Sequence, residues 1–282
     1  MTERIRFMVA ALSIAPAFAA GARERESLSD GWPAGYQRVG PAEGAVIAGL
    51  SVGALLAQAL KAPANARWAG GILFDDGVRD SLRASSAQAR ANAGTASDIG
   101  YFGLAFYPVI VDAGLVAWLG KGKPDAAVQL ALIDIEAMAL TGLTTTLVQR
   151  TTGRARPFTR NCASDARDCG SGANDRNTAF VSGHASVAFT AAATLCMQHS
   201  RLSFYGAADK AVCPIALAVA STTGVLRIVA DKHYASDVLA GAAIGAAVGV
   251  SVNALHLRVG DGVTRGLSGT TEGRGVAYFV RF

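Results

Sequence analysis

Long apolar runs separated by short polar stretches rich in Gly, Pro and Asp fill the middle of the chain, and their lengths predict helices rather than strands. The first run, 42–60, carries one charge, Glu43, near its start. Residues 74–91 are amphipathic: Val78, Leu82 and Ala89 share one face, and Arg79, Arg83 and Arg90 form a stripe on another. Such a helix either lies on a membrane with its arginines among lipid phosphates, or turns a solvated face outward from a bundle. Ser97-Asp98 reads as the cap of a helix over 100–119, which holds Pro108 and Asp112. A helix over 125–149 puts Asp134, Thr141, Thr145 and Gln149 on one stripe. Asp134 then either belongs to the polar end of a cleft or keeps that helix out of lipid. Residues 159–178 are too polar for a core, and helices follow over 182–199, 214–230 and 238–257, the last capped by Ser236-Asp237. Val276, Tyr278, Val280 and Phe282 alternate as in a short strand or hairpin. The pattern predicts an all-α fold, a bundle of about six core helices with an amphipathic helix and a short C-terminal strand or hairpin. It reads as one helical domain over 42–258, with an exposed leader at 20–41 and a tail at 259–282.

Composition shifts this picture towards a membrane. Hydrophobic residues make up 51% of the chain and charged residues 17%, with a mean hydropathy of +0.31, more apolar than an ordinary soluble enzyme. Residues 1–19 pair Arg4 and Arg6 with an apolar run and the small-x-small triplet Ala17-Phe18-Ala19, an export signal cut after Ala19 or an uncleaved anchor. The formal net charge of +5 suits an anionic substrate or lipid surface and is too diffuse for nucleic acid. Cys162 with Cys169, and Cys196 with Cys213, can close disulfides in an exported chain; alternatively Cys196 is a buried apolar residue. No Cys/His spacing suits a metal, and no cofactor is expected.

Three stretches hold the candidate chemistry: GRARP at 153–157, VSGHAS at 181–186 and LRIVADKHYASD at 226–237. A transferring phosphoryl group spreads negative charge over three oxygens, so without a metal it needs fixed cations and N–H donors. Arg156 and Arg227 offer planar forks for phosphate oxygens, and Ser182 and Gly183 sit at a helix start, where the dipole already favours an anion. His233 lies four residues before Asp237, within reach of a carboxylate that orients its ring and leaves the other nitrogen nucleophilic. His184 is then the general acid for the leaving oxygen. Singly each residue also fits a bland role, as a solvated loop arginine, a helix-cap histidine or a surface i,i+4 pair. Their ordered occurrence at helix boundaries is the specific signal.

That set resembles the type 2 phosphatidic acid phosphatase and vanadium haloperoxidase superfamily, whose pattern is K-x6-RP, PSGH and SR-x5-H-x3-D. Here the three blocks read QRTTGRARP, VSGH and LR-x5-H-x3-D between Gln149 and Asp237. The resemblance implies phosphate binding by Arg156, Ser182, Gly183 and Arg227, acid–base work by His184, and a His233 nucleophile oriented by Asp237. Gln149 stands at the family's lysine, with Arg150 or Arg154 as the substitute cation; Val181 replaces proline and Leu226 replaces serine. The implied activity is metal-independent hydrolysis of a phosphate monoester or pyrophosphate through a phosphohistidine. The partner is a phosphorylated lipid or small phosphate ester, at a membrane on the periplasmic side of the envelope. A soluble periplasmic acid phosphatase, a vanadate-dependent haloperoxidase and a catalytically silent membrane protein are the alternatives.

Overall fold

The computed structural model describes residues 25–28, 31–162 and 175–258, together with the backbone of 264–269 and 276–281. The export signal expected at 1–19 and Cys169 lie outside the described residues. The chain opens with a two-residue strand, β1 (Glu26–Ser27), and then α1 (Pro41–Gln58), α2 (Asp75–Leu82) and α3 (Ala87–Phe106). A π-helical segment, Tyr107–Gly120, prolongs α3. There follow α4 (Pro124–Thr152), α5 (Gly183–Arg201), β2 (Leu202–Ser203), α6 (Asp209–Val229), α7 (Ala235–His256), β3 (Thr264–Gly269) and β4 (Val276–Arg281). β1 pairs with β2 in parallel, and β3 pairs with β4 antiparallel. The bundle of core helices and the C-terminal hairpin are as the sequence pattern predicts.

Local chemistry sets the helix ends. Pro41 and Pro124 start α1 and α4, where a missing N–H costs nothing. Gly153 ends α4 at φ 59°, in the left-handed region. Ser86 caps α3 by accepting from the Ala89 amide, so Ser97-Asp98 is no cap but lies inside a helix that begins well before it. The π winding starts at Pro108, whose ring and lost donor disrupt regular α bonding. Pro214 likewise lies inside α6, which begins at Asp209.

α5 is the axis of the bundle, with α3, α4, α6 and α7 packed around it and α1 laid on α4. Small residues allow the closest approach, between α5 and α7. A Cβ added to Gly241 would lie 2.6 Å from the Ser182 carbonyl oxygen, one at Gly245 2.0 Å from that of Ser186, and one at Gly249 2.6 Å from that of Thr190. Polar side chains on α5 are satisfied sideways. Thr190 Oγ1 meets Thr141 Oγ1 at 2.8 Å and donates to the Gly245 carbonyl; Gln198 donates to Asp134 at 2.6 Å; Asn253 donates to Thr194. The disulfide Cys196–Cys213 ties α5 to α6, as the pairing from sequence expected.

Three expectations change. Among the described residues of the stretch read as an exposed leader, Leu28, Trp32, Tyr36 and Val39 are buried in the core cluster beside α4. The amphipathic segment breaks at Arg83, and neither reading of its arginine stripe holds. Arg79 and Arg83 bond the buried Asp231 carboxylate, and Arg90, also buried, donates to the carbonyls of Ala84 and Ser85. Asp112, Asp134 and Glu136, within apolar helices, face inward, away from the helices' outer surfaces. Asp112 accepts from Tyr205 and lies 3.0 Å from His199, whose other ring nitrogen meets Asp209; Asp134 holds Gln198; Glu136 lies 3.0 Å from His256. Asp134 is therefore held inside the bundle through Oδ1 by Gln198, while its Oδ2 is buried without a partner among the described residues.

The outer faces are apolar instead. Leu55, Ile99, Phe102, Trp118, Leu119 and Ile215 are each more than half exposed. Five helices, Pro41–Gln58, Ala87–Gly120, Pro124–Thr152, Gly206–Val229 and Ala235–His256, are long and apolar enough to cross a membrane. The α5–α7 contact yields a stability prediction. Gly245→Ala forces overpacking and lowers stability by about 1–3 kcal/mol, read as a drop in the thermal unfolding midpoint. Gly44→Ala, where an added Cβ meets nothing within 4 Å, leaves the midpoint unchanged or raises it.

Candidate active site

The three stretches meet at one end of the bundle, around the N-terminus of α5. Ser182 accepts the Ala185 amide and thereby starts the helix, while its own N–H donates to the Asp237 carbonyl at 3.0 Å. This fixes the first turn of α5, with His184 on it, beside the start of α7. Arg227 ends α6, and its carbonyl accepts the amides of Lys232 and His233. Asp231, at φ 58°, turns the chain between them. Its buried carboxylate is gripped by Arg79 at 2.6 Å and 2.8 Å and by Arg83 at 2.7 Å. Thus α2, which carries none of the chemistry, locks the turn that presents His233.

His233 is 2% exposed. Its Nδ1 lies 2.8 Å from the Ala179 carbonyl, which can only accept, so Nδ1 carries the proton. Nε2 then holds a lone pair, directed at Arg156 Nη1 3.0 Å away. The bond to Asp237 anticipated from the spacing is absent: His233 Nδ1 stands 3.8 Å from Asp237 Oδ2. Asp237 instead accepts the Tyr234 amide at 2.8 Å and pairs with Arg154. The ring is oriented by a backbone carbonyl, and the carboxylate fixes the loop around it.

The two GRARP arginines separate in role. Arg156 reaches His233, and it also donates to Asp175 at 2.6 Å and to the Lys232 carbonyl at 3.1 Å. Arg154 has no exposed surface and bonds Asp237, Ser236, Asp75 and the Gly70 carbonyl. Its guanidinium carbon is sandwiched 4.0 Å from the Trp68 ring centroid and 4.3 Å from that of Tyr234. Arg154 is a buried structural knot and no substitute for the family lysine. Gln149 lies against Gly183, and its amide donates to the Val181 carbonyl at 2.8 Å, steadying the loop before α5. Among the described contacts none joins Arg150 to the other site residues.

On the far wall, Arg227 donates to Ser97 at 3.0 Å and to Asp98 Oδ1 at 3.2 Å, and its Nε is buried without a partner. The same Asp98 oxygen lies 2.7 Å from His184 Nε2, and the Tyr101 ring packs 4.6 Å from that imidazole. A cavity of about 550 Å³ opens here, lined by Asp98, Thr95, Gln88, Asp175, Arg227 and Lys232. Asp98 and Asp175 are the site residues that sequence reading missed. The first was mistaken for a cap and the second lay in a polar loop; a lone Asp carries no motif.

Charge crowding shows in the acid–base behaviour. Burial, then Arg227, pull His184 down to about 4, against Asp98, which raises it. Burial, followed by Arg156, Arg227 and His184, holds His233 well below the ordinary histidine range. Both rings are therefore neutral at pH 7 in the empty site, and an incoming phosphate dianion favours their protonation. Burial also lowers Arg156, with Asp175 and Asp237 opposing.

Residues 130–260 match the family model described as PAP2 superfamily. A protein named lipid A 1-phosphatase from Porphyromonas gingivalis is 32% identical over 143 residues, covering 50% of this chain and 27% of that protein. The chain thus spans little more than a quarter of the length of that relative. No solved structure matches.

Two predictions follow from this geometry. Arg154→Met leaves two buried carboxylates unpaired and costs about 3–5 kcal/mol of stability. Adding Asp75→Asn recovers part of that loss in thermal unfolding, because one stranded charge is gone. The second concerns acid. A histidine depressed in the folded state contributes stability that is present above its unfolded value near 6.5 and lost as pH falls below it. The His184 contribution is lost on going from about pH 6.5 to 4, so over that interval the unfolding midpoint of wild type drops relative to that of His184→Gln.

Proposed function

The chain belongs to the PAP2 superfamily, and we propose that it hydrolyses a phosphate monoester or pyrophosphate of a lipid, without a metal ion, through a phosphohistidine on His233. The observation that carries this reading is the tautomer of His233. Nδ1–H is fixed on the Ala179 carbonyl and the lone pair of Nε2 faces the Arg156 guanidinium. A phosphate drawn to Arg156 is thereby delivered to the nucleophilic nitrogen.

In the first step Nε2 of His233 bonds to phosphorus as the P–O bond to the leaving group breaks, and protonated His184 gives its proton to that oxygen. Arg156, Arg227 with its unpartnered Nε, and the N–H groups opening α5 balance the charge on the equatorial oxygens. In the second step His184, now neutral, takes a proton from water as the water oxygen attacks phosphorus. The P–N bond breaks, and phosphate leaves with His233 restored. These groups supply the positive charge that a metal supplies in other phosphatases.

A lipid substrate is supported by the apolar outer faces of five helices around the site, and by a relative named for a phosphorylated lipid. The same faces favour a membrane-embedded enzyme over a soluble acid phosphatase. Export to the periplasmic side rests on the export signal read at 1–19 and the disulfide Cys196–Cys213.

The test is phosphate release from a lipid phosphomonoester in detergent micelles containing a chelator. Wild type releases phosphate, and His184→Ala loses about 10²–10⁴-fold. His233→Ala falls to background. Acid-labile, base-stable phosphate is trapped on wild type and not on His233→Ala. Activity that requires an added divalent ion, or that survives in His233→Ala, overturns the proposal.

A further inference from the structure

The phosphate cradle contains a carboxylate where an anionic substrate oxygen belongs. Asp98 Oδ1 takes a bond from Arg227 Nη1 at 3.2 Å and lies 2.7 Å from His184 Nε2. One oxygen thus faces both the fork that binds phosphate and the imidazole that protonates the leaving group. The fork suits an equatorial phosphate oxygen and the imidazole the leaving oxygen, so the carboxylate stands where a phosphoester would bridge the two. Asp98 reaches this place from the middle of a helix, beside buried Ser97, and its side chain is 49% exposed on the wall of the open cavity. Half-exposed as it is, the carboxylate can withdraw towards solvent.

Charge explains why an occupant is present. Arg156 and Arg227 converge beside His233 and His184 in a largely buried space, where unbalanced positive charge is costly. Asp175 answers Arg156 from the loop side and Asp98 answers Arg227 from the α3 side. Of the two, Asp98 alone also engages a catalytic imidazole among the described contacts.

Building on the phosphatase reading, we propose that Asp98 is a built-in competitor of the substrate. Its carboxylate holds the leaving-oxygen position in the resting enzyme, is displaced when the phosphoester binds, and returns as inorganic phosphate departs. Asp98 thereby sets phosphate affinity and speeds product release. A residue that merely orients His184 would lower turnover when removed and leave anion affinity unchanged.

The measurement is binding of inorganic phosphate to the detergent-solubilised full chain by titration calorimetry, alongside KM and kcat on a lipid phosphomonoester. Asp98→Asn binds inorganic phosphate at least tenfold more tightly than wild type, and KM falls in step. Asp98→Glu, which keeps an anion within reach, stays near wild type. Equal or weaker phosphate binding by Asp98→Asn, with a loss confined to kcat, overturns the proposal. Should Asp98→Asn not fold, Asp98→Ser carries the same measurement. If wild type neither releases nor binds phosphate, and Asp98→Asn binds none, the phosphatase reading itself fails. Hydrolysis by wild type with unimproved phosphate binding in the Asp98 variants defeats this inference alone.

Discussion

The placing of α5 and α7 at the site depends on one buried ion knot, Arg154 between Asp75 and Asp237. None of the three side chains has exposed surface. Charges so far from water persist only when closely paired; both terminal nitrogens of Arg154 are so paired, while its Nε is buried without a partner among the described residues. Here the pairing joins the segment after α4, the start of α2 and the first turn of α7. Asp75 also accepts the amide and hydroxyl of Ser236, and Asp237 accepts the Tyr234 amide. With α7 anchored there, the Asp237 carbonyl receives Ser182 and sets the start of α5. The loop between, carrying His233, is left one place to lie.

From this follows a division of labour between adjacent arginines. Arg154 is locked on carboxylates and aromatic faces, whereas Arg156, two residues on, turns to His233 and the cavity side. Residues two apart on extended backbone share a face, so partners set the difference: Asp75 and Asp237 hold Arg154, while Asp175 and His233 hold Arg156. Asp231 with Arg79 and Arg83 repeats the device on the other flank, pinning the turn behind His233. The candidate-site end of the bundle is thus braced by buried salt bridges, and its middle by close glycine contacts and a polar ladder along α5.

Much of this was legible in sequence. The long apolar runs located the core helices, because burial on several sides leaves few positions for charge. The spacing of Arg156, Ser182, His184, Arg227 and His233 pointed to a shared site, and the three stretches that carry them meet at the start of α5. What escaped was settled by long-range partners. Ser97-Asp98 carries every local sign of a helix cap, yet α3 already runs from Ala87, and Asp98 is spoken for by Arg227 and His184. The arginine stripe of 79, 83 and 90 fits a surface helix until Asp231, some 150 positions on, supplies a buried counter-charge. The i,i+4 spacing of His233 and Asp237 suggested a direct bond, but the first turn of α7 gives that carboxylate nearer donors. The leader looked exposed because its Gly and Pro are turn formers, while Trp32 and Tyr36 found a groove beside α4.

The central claim is that two imidazoles and two arginines surround a single phosphoryl group. The most direct measurement is an experimental structure with orthovanadate bound, which mimics the five-coordinate phosphorus of the transfer step. The account predicts vanadium bonded to Nε2 of His233, the His184 ring at the opposite apical oxygen, Arg156 and Arg227 on the equatorial oxygens, and the Asp98 carboxylate withdrawn. Vanadate bound elsewhere, or seated in the cavity with either imidazole unengaged, would contradict it.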